Sequence, residues 1–522
     1  MLGRLWQVPF FAWLAAAFPI ASIAARNPGQ AEGFWIEGAI AVALIAATGL
    51  GIGYRLVSGS WYRAAIAVLA TALFFYGYGP AGGIVDHYLL TIPDGADVGF
   101  FAEHASSVLS IIWGGLLVGA VTASLRMKEN LARRIAGPLN TIASLLLAFV
   151  VAQLLSAPRS TAPETAQPIS TDREAATVGA LPDIYVIILD GYARSDVLST
   201  LYGFDNSEFV GELEDLGFTV VNGGNANYNW THLSLSSSLN MNYLPEVLEG
   251  PILAGSRSRA QTYDAIRNNA VALYLRNLGY EFVQLQSTWG GTRINPYADV
   301  LLPCSTSIFT NEFVRAVIEA SWLRAIGDGE SLAECHLTNF ETLAALGARE
   351  GPKFVIAHVL LPHHPYLFDS GGTVLSDATI ANQFEFQAKL WEDRTSYVGQ
   401  LEFVNQAVVG AVATILESAA RPPVVLIHSD HGPNLVNGLT ADDQLRVRFA
   451  NFAAVHAPGA EGRLIPDGET PVNYFRRIFN EYFGAGLPIL ESRQFASQYR
   501  TPFKFSDVTS VVETTWITLE GP

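Results

Sequence analysis

The apolar residues divide this chain in two. Up to residue 157 they form long runs, and beyond residue 183 they form short runs that alternate with helix-spaced stripes. Five long runs, at 5–25, 34–54, 61–79, 105–125 and 137–157, suit membrane-crossing helices, which require ~20 residues. Arg4 before the first run gives it the look of a signal peptide, but the four runs that follow make it a retained helix. Beyond the boundary, strand patterns fall at 184–189, 218–221, 281–285, 354–360, 423–428 and 450–456. Helical patterns fall at 207–216, 232–241, 262–278, 311–325 and 396–418. This alternation predicts an α/β fold with a mainly parallel sheet flanked by helices. In the last helix Val398, Leu401, Val404, Val408, Val412 and Ile415 share one face, a stripe that belongs to a core. The segment between the two halves is rich in Ser, Thr, Ala and Pro (Pro158, Pro163, Pro168, Pro182), with a short helical pattern near Asp172–Ala176. It reads as a linker. The expected organisation is a five-helix transmembrane domain over 1–157, a linker over 158–182 and one exported α/β domain over 183–522.

Charge adds an orientation. The 126–134 loop is basic, and Arg55 and Arg63 flank the short 55–63 loop, whereas 80–104 has no Lys or Arg and four acids: Asp86, Asp94, Asp97 and Glu103. Positive loops stay inside, so the N-terminus is predicted inside and the C-terminal domain outside. Residues 1–158 carry 8 basic and 7 acidic residues; the remainder carries 23 and 41. So acidic a domain has no basic face for nucleic acid, and most of these charges read as a solvated surface. The two cysteines, Cys304 and Cys335, fall in the exported part. They are either one disulfide, as an oxidising compartment favours, or two thiols; neither has metal-type CxxC spacing.

The chemistry concentrates in two runs, Asp183-Ile-Tyr-Val-Ile-Ile-Leu-Asp190-Gly191 and Val424-Val-Leu-Ile-His428-Ser-Asp430-His431-Gly432. Each is a strand pattern ending in acidic or imidazole residues followed by Gly. The carboxyl ends of parallel strands face the ligand crevice. Asp190, Asp430 and His431 are therefore expected to meet there as a divalent-metal site. Thr231, in Asn227-Tyr-Asn-Trp-Thr-His-Leu-Ser, opens a helical pattern. It is either an ordinary N-cap or, beside a metal, a nucleophile with a lowered pKa at a helix N-terminus.

With these residues the chain resembles the alkaline phosphatase/sulfatase superfamily, in particular the membrane-bound branch containing lipoteichoic acid synthase and the lipid A phosphoethanolamine transferases. The resemblance covers roughly residues 183–460, together with the arrangement of the N-terminal part. It implies that Asp190, Thr231, Asp430 and His431 hold one metal, zinc or manganese, with room for a weak second one. The Ser-Asp-His-Gly run is the most specific match, and the Thr231 region is looser. The sulfatase Cys/Ser-x-Pro-x-Arg motif is absent around Thr231, so a formylglycine route is not available. Relatives carry an Asn/Ser-His-x-Pro-aromatic signature where this chain has Leu361-Pro362-His363-His364-Pro365-Tyr366. By that match His363 touches the transferred phosphate, and His364 is an additional substrate-binding candidate.

Further candidates are less specific. Trp289-Gly-Gly-Thr-Arg293 is a Gly-rich turn in which Trp289 and Arg293 suit a phosphate and its head group, or simply a surface turn. Asn227, just before Thr231, is placed to orient substrate oxygens, and so is Asn229. Arg446 and Arg448 rank lower as anion partners. His358 reads as a structural strand histidine, and His456 as one that packs at a strand end.

The expected function is a membrane-anchored, metal-dependent transferase. It would move a phospholipid-derived head group of phosphoglycerol or phosphoethanolamine type, through a phospho-Thr intermediate, to an extracytoplasmic glycan or glycolipid. The partners are thus a phospholipid donor, a glycan or glycolipid acceptor and a bacterial-type inner membrane, with no nucleic acid. Tethering to the bilayer raises the effective concentration of a lipid donor. The alternatives are a sulfatase-like phosphodiesterase or phosphatase and, in another class, a non-catalytic glycan-binding membrane protein. A reporter fused after residue 160 is expected to be active only in the exported compartment. Cytoplasmic activity of that fusion would overturn the orientation and the disulfide argument together.

Overall fold

A computed structural model describes residues 8–27, 33–90, 99–156, 181–248, 256–325, 329–375, 391, 393–434, 439–460 and 463–513. The linker expected over 158–182 lies, up to residue 180, outside these described residues. The chain forms two compact units, Met1–Pro158 with Glu312–Gly327, and Arg159–Asn311 with Asp328–Pro522.

The first unit is built on α1 (Phe11–Arg26), α2 (Gly33–Ser58), α3 (Trp61–Leu90), α4 (Gly99–Arg126) and α5 (Glu129–Ser156). The last four are long and apolar enough to cross a membrane. With 16 residues, α1 is shorter than the ~20 that a full crossing requires. Small residues fill the interior: Ala12, Ala16, Ala47, Ala65, Ala132 and Ala136 pack in one cluster. Large ones face outward, among them Ile45, Leu56, Ile111, Val118, Leu145 and Phe149. Water does not favour that inversion, but hydrocarbon does. The start of α1 is tied down by Asn140, which accepts from Phe11 N at 3.0 Å and donates to Val8 O.

The helical pattern at 311–325 also belongs to this unit. From Glu312 it forms α10 (Glu312–Glu319), while α6 to α9, earlier in the chain, belong to the second unit. Phe313 joins Ile20 and Ala24 in one cluster, and Trp322 stacks on Tyr78 with ring centroids 5.3 Å apart. Arg324 is buried, pairs with Glu319 and donates to Gly79 O at 2.8 Å.

The second unit carries, in chain order, β1 (Ile184–Leu189), α6 (Ser207–Asp215), β2 (Phe218–Val220), α7 (Thr231–Ser238), α8 (Ala260–Arg267), α9 (Ala270–Asn277), β3 (Glu281–Leu285) and β4 (Val300–Leu302). It continues with α11 (Gly329–Ala345), β5 (Lys353–Val359), α12 (Arg394–Ser418), β6 (Val424–Ser429), α13 (Ala441–Phe449), β7 (Ala453–His456), α14 (Pro471–Phe483) and a hairpin of β8 (Phe495–Gln498) and β9 (Thr501–Asp507). The main sheet has the order β2-β7-β6-β1-β5-β3-β4. β1, β3, β4, β5 and β6 are mutually parallel, and β7 runs antiparallel to both its neighbours.

Every residue of β1 is buried, as both faces of a central parallel strand are covered. Successive side chains point to opposite faces. Tyr185, Ile187 and Leu189 therefore enter a core with the α12 stripe, while Ile184, Val186 and Ile188 enter another with Leu235 of α7, Leu239 just after it and Phe475 of α14. α12 is apolar and 25 residues long, yet its stripe lies in this core, as its periodicity predicts. The pattern at 262–278 is broken into two helices because Asn269 caps the second, accepting from Ala272 N at 2.8 Å. Cys304 and Cys335 are joined as a disulfide.

At the edge of the sheet where β1 and β5 begin, Lys353 Nζ lies 2.6 Å from Asp183 Oδ2, with both side chains buried, and also donates to Arg349 O. Asp183→Ala leaves a buried ammonium with its carboxylate removed. The expected loss is about 3–5 kcal/mol of unfolding free energy, and Asp183→Leu with Lys353→Met together should lose less than Asp183→Ala alone. Chemical denaturation checks this; equal losses in the single and double variants would contradict it.

Candidate metal centre

β1 and β6 are in register, with Leu189 opposite Ser429, so Asp190 and Asp430 leave the sheet side by side. Neighbouring strands lie about 4.8 Å apart. Gly191 turns the chain immediately after Asp190 at φ 69°, a conformation that favours glycine. Its N–H then donates to Asp430 Oδ1 at 3.0 Å, and His431 N donates to the same oxygen at 2.9 Å. Asp190 Oδ1 and Asp430 Oδ2 are buried and have no hydrogen-bond partner among the described residues.

Asp190, Asp430 and His431 each offer one ligand atom within 4.8 Å of the others, and theirs is the one such acid-imidazole group among the described residues. His431 Nδ1 lies 3.0 Å from Gly432 O. A carbonyl only accepts, so Nδ1 carries the proton and Nε2 presents its lone pair. That lone pair faces Asp430 Oδ2 at 3.1 Å and Thr231 Oγ1 at 3.1 Å. Two orphaned carboxylate oxygens and an imidazole lone pair, all converging, fit a divalent cation.

Burial raises the Asp190 carboxyl to about 7, against the pull of the Arg448 guanidinium. Burial raises Asp430 to about 7 as well, reinforced by the charge of Asp190. Both shifts have the same main cause: two adjacent carboxylates have been taken out of water.

Thr231 is the first residue of α7. The cap position is held by Trp230, in extended conformation, with no side-chain cap bond. Thr231 is therefore not the N-cap, and its hydroxyl turns to His431. α7 is fixed to the end of β6 by Ser234 Oγ, which donates to Asp430 O at 2.7 Å.

His363 is joined to the same edge, its N–H donating to Asp190 O at 3.1 Å. Its Nδ1 lies 2.6 Å from His364 O, so Nε2 is again the free lone pair. Burial lowers His363 to about 4. His364 is buried, its pKa also pushed well down by burial, and neither ring nitrogen has a hydrogen-bond partner among the described residues. Trp289 packs edge-on to His358 at 5.4 Å, and His358 Nε2 lies 3.8 Å from Asp190 Oδ2. His358, structural by its sequence context, thus stands beside a site carboxylate, with Nδ1 bonded to Thr292 Oγ1 at 2.8 Å. Arg293 donates to the carbonyl and the hydroxyl of Thr310. Both ends of the Asn227 amide are committed to backbone, Nδ2 to Arg493 O and Oδ1 to Val472 N.

The residue that the sequence ranked too low is Arg448. It is buried at the end of α13, and Nε and Nη1 donate to Asn229 O and Gly432 O. Nη2 reaches His431 Nε2 at 2.8 Å. Gly432 permits this approach: a Cβ there would stand 2.2 Å from Val447 O. Glycine directly after the Asp-His pair was the available signal, since a bare backbone lets another helix approach closely.

No protein-family model matches the sequence, and no curated protein is similar to it. Solved structures do match. The C-terminal periplasmic domain of EcEptC from Escherichia coli, in complex with Zn, is 13% identical with a TM-score of 0.42, covering 63% of this chain and 94% of that one. The corresponding domain of the phosphoethanolamine transferase EptC from Campylobacter jejuni is 12% identical with a TM-score of 0.37, covering 60% and 96%. BT1596, a 2-O GAG sulfatase, is 12% identical with a TM-score of 0.40, covering 60% and 77%. Values this low leave the functional reading to the geometry of the site itself.

The raised carboxyls give a pH dependence of defined sign. Between about 4 and about 7 the folded chain binds more protons at Asp190 and Asp430 than the unfolded chain does. Stability of the metal-free protein therefore falls as pH rises through that window. Thermal unfolding at pH 5 and pH 7.5 is expected to show the drop, zinc or manganese to reverse it at pH 7.5, and Asp190→Asn to flatten it. A metal-free transition that is flat across the window would contradict this account.

Proposed function

We propose that this chain is a membrane-anchored phospho-group transferase of the alkaline phosphatase/sulfatase superfamily, with its α/β unit on the extracytoplasmic side. It takes a phospholipid head group and passes it to a glycan or glycolipid. The observation that carries the reading is the convergence of the Thr231 hydroxyl with Asp190, Asp430, His431 and the Arg448 guanidinium in one buried cluster. Solubility and fold do not require a hydroxyl at a helix start facing an imidazole lone pair, two orphaned carboxylates and a cation, whereas covalent phosphoryl chemistry does.

Asp190, Asp430 and His431 would hold the metal, zinc or manganese, with Thr231 beside it, the cation taking the His431 Nε2 lone pair in place of Arg448 Nη2. When bound, the cation lowers the pKa of the Thr231 hydroxyl and neutralises charge on phosphoryl oxygens. Thr231 Oγ attacks the phosphorus of the donor phosphodiester, and the bond from phosphorus to the lipid oxygen breaks. The Thr231 proton passes by way of His363 Nε2 to that leaving oxygen, giving a phospho-Thr and a free lipid alcohol. Arg448, held by two backbone carbonyls, turns its Nη2 group to a phosphoryl oxygen. In the second half an acceptor hydroxyl attacks the phospho-Thr, and its proton returns to Thr231. With water as acceptor the same geometry yields a phosphodiesterase.

Thr231→Ala is expected to reduce turnover at least ~10³-fold with the fold and metal binding retained. Intact-mass analysis of the protein quenched during turnover should show a phosphorylated adduct at Thr231. Retention of more than about a tenth of the activity in Thr231→Ala would overturn the covalent mechanism, because loss of a nucleophile costs far more than tenfold.

A further inference from the structure

The buried face of α12 opens with two polar side chains, Tyr397 and Gln400, before it becomes an apolar stripe. Gln400 is fully buried, and both ends of its amide go to one loop, the Pro362-His363-His364-Pro365 run after β5. Nε2 lies 3.0 Å from His363 O, 3.2 Å from Pro362 O and 3.4 Å from Pro365 O, and Oε1 accepts from Leu367 N at 2.6 Å. Carbonyls only accept, so these partners also settle which end of the amide is nitrogen. Tyr397, three residues earlier and thus its neighbour on the helix, donates from its hydroxyl to Gly191 O at 3.1 Å and accepts from Ala193 N at 3.1 Å. The first turns of α12 therefore hold both segments that meet at the site, the turn after Asp190 and the loop bearing His363. His363 N, donating to Asp190 O, joins the two directly.

Trp391 touches the same two segments. It is 1% exposed and stands edge-on to His363 with ring centroids 5.2 Å apart, and 5.8 Å from His364. A Cβ at Gly191 would fall 2.5 Å from its indole. Its backbone carbonyl accepts from the Tyr202 hydroxyl at 3.1 Å.

A buried glutamine ordinarily does no more than satisfy backbone groups. Here the loop it holds carries the imidazole that moves a proton. The ring of His363 is oriented through Nδ1 by the carbonyl of the next residue, His364. Whatever sets the course of this loop therefore sets where Nε2 stands. Proton transfer works over hydrogen-bond distances of about 2.6–3.2 Å, and a misplacement of ~1 Å costs on the order of 10²-fold.

We propose that Gln400 and Trp391 are positioning residues for His363: they fix the 362–365 loop so that His363 Nε2 meets the leaving oxygen as its bond to phosphorus breaks. The proposal rests on the proton-transfer role given to His363 above. It adds that this role is set from α12, a helix whose sequence reads as core alone. The step itself is unchanged: the Thr231 proton passes by way of Nε2 to the leaving oxygen, and neither Gln400 nor Trp391 exchanges a proton.

The test uses the full-length, zinc-loaded chain in detergent with two soluble phosphodiesters, the p-nitrophenyl and benzyl esters of phosphoethanolamine. The transferred group is the same in both, but p-nitrophenolate leaves without a proton and the benzyl alkoxide requires one. His363→Ala is expected to slow the benzyl ester about 10²-fold more than the nitrophenyl ester. Gln400→Met keeps the side-chain length and removes the hydrogen bonds. It should show the same preference at roughly tenfold, in kcat and not in KM. Trp391→Ala should match it, and Trp391→Phe should restore most of the wild-type ratio. Val408→Ala, a cavity in the same helix, should lower stability and leave the ratio unchanged. A second readout requires no turnover. In NMR of the chain with nitrogen-labelled histidine, the His363 signal, identified by its loss in His363→Ala, should report a proton on Nδ1, and in Gln400→Met a mixture of both tautomers. Equal slowing of the two esters in Gln400→Met, or an unchanged tautomer there, would overturn the proposal. Equal slowing in His363→Ala would remove the proton-transfer role and this proposal with it. Discrimination in His363→Ala without discrimination in Gln400→Met would remove this proposal alone.

Discussion

Two carboxylates buried side by side govern the second unit. Asp190 and Asp430 stand at the ends of paired strands, with an oxygen on each left without a hydrogen bond. Each carboxylate taken out of water costs several kcal/mol unless a charge of opposite sign replaces the solvent. Arg448 supplies part of that charge and His431 only a lone pair, which is why both carboxyls rise to about 7. A proton or a divalent cation would balance the group near neutral pH. The same burial leaves a carboxylate oxygen on each acid and the His431 imidazole gathered as candidate donors for a cation.

The rest of the unit serves that edge. Register between β1 and β6 sets the spacing of the acids, and the Gly191 turn lets a backbone N–H orient Asp430. Backbone carbonyls do the same for the imidazoles, fixing the protons of His431 and His363 on Nδ1 and leaving a lone pair on each Nε2. Gly432 lets α13 come close enough to deliver Arg448.

The first unit follows the opposite packing rule. Alanine fills its interior and large aliphatic side chains face outward. In hydrocarbon there is no hydrophobic gain from burying Leu or Ile, so helices associate through small residues that bring backbones close. The 312–325 segment joins this unit through Phe313, Trp322 and Arg324, side chains that give it both an apolar face and a buried polar tie.

Local chemistry was legible in the sequence. The apolar runs gave the helices of the first unit, the alternation gave a mainly parallel sheet, and the strand-end acids at 190 and 430 with His431 gave the buried acid–imidazole group. Each depends only on period, register and the direction in which strand ends point. What the sequence left open depended on long-range contacts. The division of 262–278 turned on one capping asparagine, and the two cysteines, which could have been a bridge or two thiols, are joined across 31 residues. Arg448, 17 residues after His431, reaches that imidazole, and His358, at a separate strand end, reaches Asp190, only because α13 and β5 are packed where they are. The part of Thr231 changed for the same reason: as a sequence feature it was equally a cap, and Trp230 holds that position in the fold. Residue type and spacing fixed which groups were chemically competent. Only tertiary packing decided which of them share one water-poor space, because desolvation and distance are properties of neighbours that sequence proximity does not define.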